Sequence, residues 1–107
     1  MSFITAHALD SMVGTPAADL EVTLYFGAEV IVSARTDDTG RVSYFGPVHL
    51  EPGDYRIVFG TGDYFAAREI DHFHPVVTID FTVQAGQEHY HIPLLLSPFA
   101  YSTYRGS

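Results

Sequence analysis

Pro98 divides residues 89–107, HYHIPLLLSPFAYSTYRGS, into two strand-like halves. Proline has no backbone N–H to give to a sheet ladder, so the chain has to turn a corner at Ser97-Pro98. In a strand, residues two apart share a face. Ahead of the corner, His89, His91, Pro93 and Leu95 therefore point one way, and Tyr90, Ile92, Leu94 and Leu96 the other. Beyond it, Ala100, Ser102 and Tyr104 share one face, while Phe99, Tyr101 and Thr103 share the opposite one. The segment thus offers an apolar face to a core and keeps imidazoles, hydroxyls and a phenol on the other. Sheets packed on one side only have this pattern.

The remainder of the chain repeats the theme. Residues 3–9 alternate as a first strand, with Phe3, Thr5, His7 and Leu9 on one side and Ile4, Ala6 and Ala8 on the other. Residues 11–18 contain Gly14 and Pro16 and read as a loop. Residues 20–26 predict a second strand with Leu20, Val22, Leu24 and Phe26 inward, and the β-branched residues 30–34 a third. Asp37-Asp38-Thr39-Gly40 forms a turn, because Asp side chains satisfy local backbone groups and Gly accepts positive φ. Arg41 opens the next short strand, sharing a face with Ser43, opposite Val42 and Tyr44. After a turn at 51–54, residues 55–59 predict a fifth strand and residues 61–69 (TGDYFAARE) a helix capped by Thr61 or Asp63. Residues 76–83 predict a sixth strand, and Ala85-Gly86 turns into the C-terminal pair. About eight short strands at this spacing, with one short helix, predict an all-β sandwich. At 107 residues there is room for a single core, so one domain is expected over residues 1–107.

Composition excludes several functions. There is no cysteine, hence no disulfide or thiolate metal site, and a reducing compartment does no harm. No apolar run approaches the ~20 residues of a membrane helix, so no membrane partner is expected. A secretory signal is not visible, and a cytoplasmic location is the expectation. Lysine is absent and the formal charge is −8, so five scattered arginines provide no basic footprint and no nucleic acid is expected as a partner.

Three residue types suggest chemistry. His89-Tyr90-His91 and His72-Phe73-His74 are both His-x-His pairs, and two imidazoles on one strand face can bind zinc, but neither pair has a clear third ligand. Strand parity puts His91 and Tyr104 opposite the apolar residues of their strands, as it does His7 and Arg41. All four could project from one sheet if their strands are neighbours. For each, an ordinary surface role is the commoner fate.

The LLLSP…YST core of the C-terminal segment resembles a signature of the transthyretin-like family. The closing Tyr104-Arg105-Gly106-Ser107 is similar to the ending of its enzymatic branch, the 5-hydroxyisourate hydrolases. Thr5-Ala6-His7-Ala8-Leu9-Asp10, with Gly14, Pro16 and Ala17 behind it, resembles the family's N-terminal signature, although Ala8 replaces the usual branched aliphatic residue. Asp38-Thr39-Gly40-Arg41 matches its D-x-G-R turn, whereas Phe73-His74-Pro75 departs from the hydrolases' aromatic-aromatic-Pro. The hormone-carrying branch has lysine at the place of His7, an acid at Arg41, and threonine at His91 and Tyr104.

The resemblance implies a two-sheet antiparallel sandwich assembled as a homotetramer, with sites in a channel between subunits. It implies a small-molecule substrate, 5-hydroxyisourate, hydrolysed to 2-oxo-4-hydroxy-4-carboxy-5-ureidoimidazoline in the step after urate oxidation, with no cofactor. His7, Arg41 and His91 are the implied catalytic residues. His7, Arg41, Tyr104 and Ser107 are the implied substrate-binding residues, the terminal carboxylate of Ser107 helping to close the pocket. The chemistry suits them: opening a cyclic amide needs an activated water and a stabilised oxyanion. An imidazole titrating near ~6.5 can take a proton from water at neutral pH, and a guanidinium offers a planar fork of donors. Which histidine is the base stays open; the pair could share the task, with Arg41 helping to keep both neutral. The alternative is a non-catalytic small-molecule carrier on the same fold.

Overall fold

In the computed structural model, which describes residues 2–106, the alternating segments become nine strands around one short helix. The first sheet contains β1 (Ile4–Asp10), β2 (Thr15–Pro16), β5 (Arg41–Val42), β8 (Tyr90–Leu96) and β9 (Tyr101–Thr103). Its order is β2-β1-β8-β9, and β5 shares the β2 side of β1. The second sheet runs β4 (Glu29–Arg35), β3 (Glu21–Phe26), β6 (Gly53–Phe59) and β7 (Val77–Val83). Most pairings are antiparallel, as expected of the sandwich, but β1 and β8 run parallel in the middle of the first sheet.

Parity predicts the core correctly on most strands. Ile4, Ala6 and Ala8 of β1 and Tyr90, Ile92, Leu94 and Leu96 of β8 are all buried, facing Leu20, Val22, Leu24, Ile57 and Phe59. The aliphatic side chains larger than alanine contribute roughly 1.5–3 kcal/mol each when fully buried. Three inward assignments fail. Phe26 sits at the rim, packed on the Tyr55 ring but 47% exposed. Phe99 and Tyr101 are also exposed, at and just before the edge strand β9.

The helix, α1, covers only Thr61–Ala66. Glu69 adopts a left-handed φ of 56°, which ends helical winding before the predicted limit. Neither Thr61 nor Asp63 caps it: the N-cap is Gly60, without a side-chain hydrogen bond. The loop expected at 11–18 also contains β2, whose Thr15 and Pro16 pair with Asp10 and Leu9 at the sheet edge, where a proline is tolerated.

One polar contact fastens the helix to the first sheet. Tyr64 donates its hydroxyl to Asp10 Oδ2 at 2.8 Å, and the backbone N–H of Met12 donates to Asp10 Oδ1 at 3.0 Å. Asp10 is 2% exposed, so both carboxyl oxygens are satisfied out of reach of water. Burial, then the bond to Asp10, pushes the Tyr64 phenol up to about 12. Tyr64→Phe leaves Asp10 Oδ2 without its donor. It should lower unfolding free energy by about 1–3 kcal/mol in a urea titration.

Candidate functional site

The parallel ladder between β1 and β8 pairs Thr5 with His91 and His7 with Pro93. On the other side of β1, β5 pairs Arg41 with His7. Paired residues in neighbouring strands share a face, and so do residues two apart. His7, Arg41 and His91 therefore gather on the outer face of the first sheet, with Thr5 among them.

The turn before β5 is built to hold Arg41 there. The Asp37 carboxylate accepts the backbone N–H groups of Thr39 (2.9 Å) and Arg41 (3.1 Å) and the Thr39 hydroxyl (2.6 Å). The Thr39 hydroxyl bond is the chief reason its pKa lies below the ordinary carboxylate value. Gly40 has φ +77°, and a Cβ on it would stand 2.4 Å from the Ala8 carbonyl oxygen, so only glycine lets the turn close on β1. Its carbonyl accepts from Ala8 N–H at 2.8 Å. The same turn presents the Thr39 carbonyl to His7, whose Nε2–H donates to it at 3.1 Å. A carbonyl only accepts, so neutral His7 keeps its lone pair on Nδ1.

Arg41 itself is uncommitted. Arg35, Arg56, Arg68 and Arg105 each donate a side-chain hydrogen bond, to Asp19, Asp80, Tyr64 and Gln87 among others. Among the described residues Arg41 alone of the five arginines has no side-chain bond or ion pair. An exposed guanidinium with no partner among the described residues, in a chain of net charge −8, is available to a ligand.

His91 is half-buried. Its Nδ1 lies 2.8 Å from Thr5 Oγ1, and the same hydroxyl lies 3.0 Å from His89 Nε2. His89 Nδ1 is 3.1 Å from the Ser2 carbonyl. Burial, and after it the charges of Arg41, His7 and His89, hold the His91 imidazole below the ordinary value of 6.5. Arg41 thus helps keep this ring neutral, but desolvation is the larger cause. The C-terminal segment covers one edge of the ring: Gly106 N–H donates to the His91 carbonyl at 2.9 Å. A Cβ on Gly106 would meet His91 Cδ2 at 2.6 Å.

Tyr104 is placed differently. It is 59% exposed and, with Thr103 and Arg105, lines a groove of about 240 Å³ that also touches Tyr90 and Ile92, core-facing residues of β8, and Phe81 of β7. Ser107, expected to help bind substrate, lies outside the described residues. The paired histidines do not collect a third ligand: among the described residues no group of three or more His, Asp or Glu is arranged to hold a metal. Thr5 and Gly106 have no site role on sequence grounds, and His89 figures there only as half of a His-x-His metal pair. Thr5 looks like any strand threonine, His89 like a neighbour of His91, and Gly106 like part of a terminal motif.

Two facing sheets with one short helix and a parallel β1–β8 pair make this chain a β-sandwich. The HIUase/Transthyretin family model matches residues 4–106, and the chain belongs to that family. A 5-hydroxyisourate hydrolase from Salmonella dublin is 40% identical, the match spanning 99% of this chain and 82% of that protein. The structure of Klebsiella pneumoniae 5-hydroxyisourate hydrolase superposes with a TM-score of 0.92 at 34% identity, covering 100% of this chain and 94% of that one. Transthyretin from Sparus aurata superposes with a TM-score of 0.90 at 28% identity, covering 99% and 97%.

Gly106→Ala probes the packing over His91. The methyl has to displace the ring or the tail, and a misplacement of ~1 Å at a reacting group can cost on the order of 10²-fold in rate. Turnover should fall by about that factor while the melting temperature stays near that of the parent chain.

Proposed function

We propose that the chain hydrolyses 5-hydroxyisourate to 2-oxo-4-hydroxy-4-carboxy-5-ureidoimidazoline. The observation that carries this reading is the cluster of two imidazoles around an uncommitted guanidinium, locked by register onto one sheet face. The 40% identical Salmonella hydrolase supports the choice of substrate. His91, neutral at pH 7, takes a proton from water as the water oxygen adds to the ring amide carbonyl. Arg41 donates to the oxyanion that forms there. The ring C–N bond then breaks, the carbonyl carbon becomes a carboxylate, and the proton passes to the departing nitrogen. His7, with a lone pair on Nδ1, can accept from a substrate N–H or share the proton transfer. The family resemblance also assigns substrate contacts to Tyr104, which lines the neighbouring groove, and to Ser107, which lies outside the described residues. No step asks for a cofactor.

The same reading includes a single domain over residues 1–107, a cytoplasmic location and a homotetramer. No described helix is long and apolar enough to cross a membrane. β7 and β9 are free edges, and exposed Phe73, Phe99, Tyr101 and Tyr104 surround them. Unpaired edges flanked by aromatics favour pairing with further copies. Light scattering at micromolar concentration should give four chains per particle; a monomer would overturn the assembly.

The decisive assay makes 5-hydroxyisourate in situ with urate oxidase and follows its disappearance. His7→Asn, Arg41→Gln and His91→Asn should each fold, since surface changes usually move stability by about 0.5 kcal/mol or less. Each should lose ~10²–10⁴ in rate, and the reading fails if all three stay within a few-fold of the parent. A carrier would bind the compound without consuming it. Turnover should also survive exhaustive chelation.

The acid limb of kcat/KM gives a further check. The depressed His91 pKa means the folded protein holds the neutral ring to lower pH than an unfolded chain does. Its stabilising effect is fully present above 6.5 and is lost as pH falls through the lowered value. Activity should follow the same window, with the acid midpoint below 6.5 in a pH series.

A further inference from the structure

We propose that Thr5 and His89 are positioning residues that place the lone pair of His91 on Nε2. The inference rests on the reading of His91 as general base and names the device that orients it. Three hydrogen bonds connect the groups in series: Ser2 carbonyl to His89 Nδ1 (3.1 Å), His89 Nε2 to Thr5 Oγ1 (3.0 Å), and Thr5 Oγ1 to His91 Nδ1 (2.8 Å). Each link constrains the next. The Ser2 carbonyl can only accept, so His89 carries its proton on Nδ1. In neutral His89, Nε2 is then an acceptor, and the single Thr5 proton has to point at it. With that proton spent, Thr5 Oγ1 faces His91 with a lone pair only. His91 must donate from Nδ1, which leaves its lone pair on Nε2.

The start of the series is rigid. Ser2 is buried, and its hydroxyl accepts from Phe45 N–H. The neighbouring Phe3 is held on both sides, its N–H donating to the Pro47 carbonyl and its carbonyl accepting from Tyr90 N–H, each at 2.9 Å. The acceptor that sets the direction of the chain therefore cannot easily turn away. At the far end, no other protein group among the described residues bonds His91 Nε2, so the nitrogen that the series makes basic is the one left for water. A backbone carbonyl thus sets the protonation pattern of a ring two side chains away, with no buried carboxylate needed. The usual orienting partner of a catalytic histidine is such a carboxylate.

The test reads the tautomer directly. Two-dimensional ¹H–¹⁵N spectra of the ring nitrogens near pH ~8, where imidazoles are neutral, should find His89 and His91 both protonated on Nδ1. Thr5→Val keeps the shape but removes the hydroxyl, and His91 should move toward the Nε2–H form that an unrestrained imidazole prefers. The same variant should lose at least about 10-fold in kcat, inside the ~10²–10⁴ that general-base work supplies, with KM little changed. Thr5→Ser should restore both spectrum and kcat. His89→Phe, which removes the acceptor for the Thr5 proton, should shift the His91 spectrum as Thr5→Val does. The proposal is overturned if parent His91 carries its proton on Nε2, or if Thr5→Val keeps the parent tautomer and kcat. The parent spectrum decides the series even if a variant misfolds. It also stands apart from His91→Asn: full turnover by that variant would sink the general-base reading whatever the tautomer.

Discussion

The parallel pairing of β1 with β8 is the constraint on which the rest of the structure depends. It joins segments from the two ends of the chain in seven consecutive register pairs, Ile4 with Tyr90 through Asp10 with Leu96. Nothing local can form it, because the partners are more than eighty residues apart and the whole second sheet lies between them in sequence. Once made, it does two things together. It closes the core by setting Ile4, Ala6 and Ala8 beside Tyr90, Ile92 and Leu94, and it sets Thr5 against His91 on the opposite face. Core and site are two sides of one ladder.

Electrostatics on that ladder run against the rest of the molecule. A chain of net charge −8 repels anions at long range, yet salt screens exposed charges beyond ~8 Å at physiological ionic strength. What a small electron-rich ligand meets at close quarters is Arg41, the imidazoles of His7 and His91, and backbone. The other arginines that could compete for such a ligand are occupied by Asp19, Asp80, Gln87 and backbone carbonyls. Local cationic character therefore comes from one arginine that has no partner among the described residues, not from accumulating many.

Much of this was legible in the alternation of residue types. Period-two patterning named the core faces of β1 and β8 and the solvent side of His7, Arg41 and His91. Which strands are neighbours was not legible, because periodicity carries no information about pairing partners; only the family resemblance supplied it. The parallel sense of β1 and β8 was missed for that reason. The short β2 escaped because Gly14 and Pro16 are turn formers, and only the sheet edge lets Thr15 and Pro16 pair. The Thr5–His89 connection is hidden more deeply. Threonine and histidine have no distinctive spacing when their partners lie 84 and 86 residues away and one partner is a backbone carbonyl. Predicted caps at Thr61 and Asp63 failed since propensity says which residue can cap, not whether its side chain reaches the N–H.

The interleaving of core and outer residues along β1 and β8 has an evolutionary consequence. Function and folding are written in alternate letters of the same segments, so point substitutions on the outer face can change the chemistry without touching the packing. That is a route by which one scaffold could pass between catalysis and carriage. Insertions and deletions have no such freedom. Adding or removing one residue in either strand exchanges the two faces beyond that point, burying imidazoles and exposing leucines. Lineages of this protein should therefore accumulate length changes in the connections and almost none between Ile4 and Asp10 or between Tyr90 and Leu96.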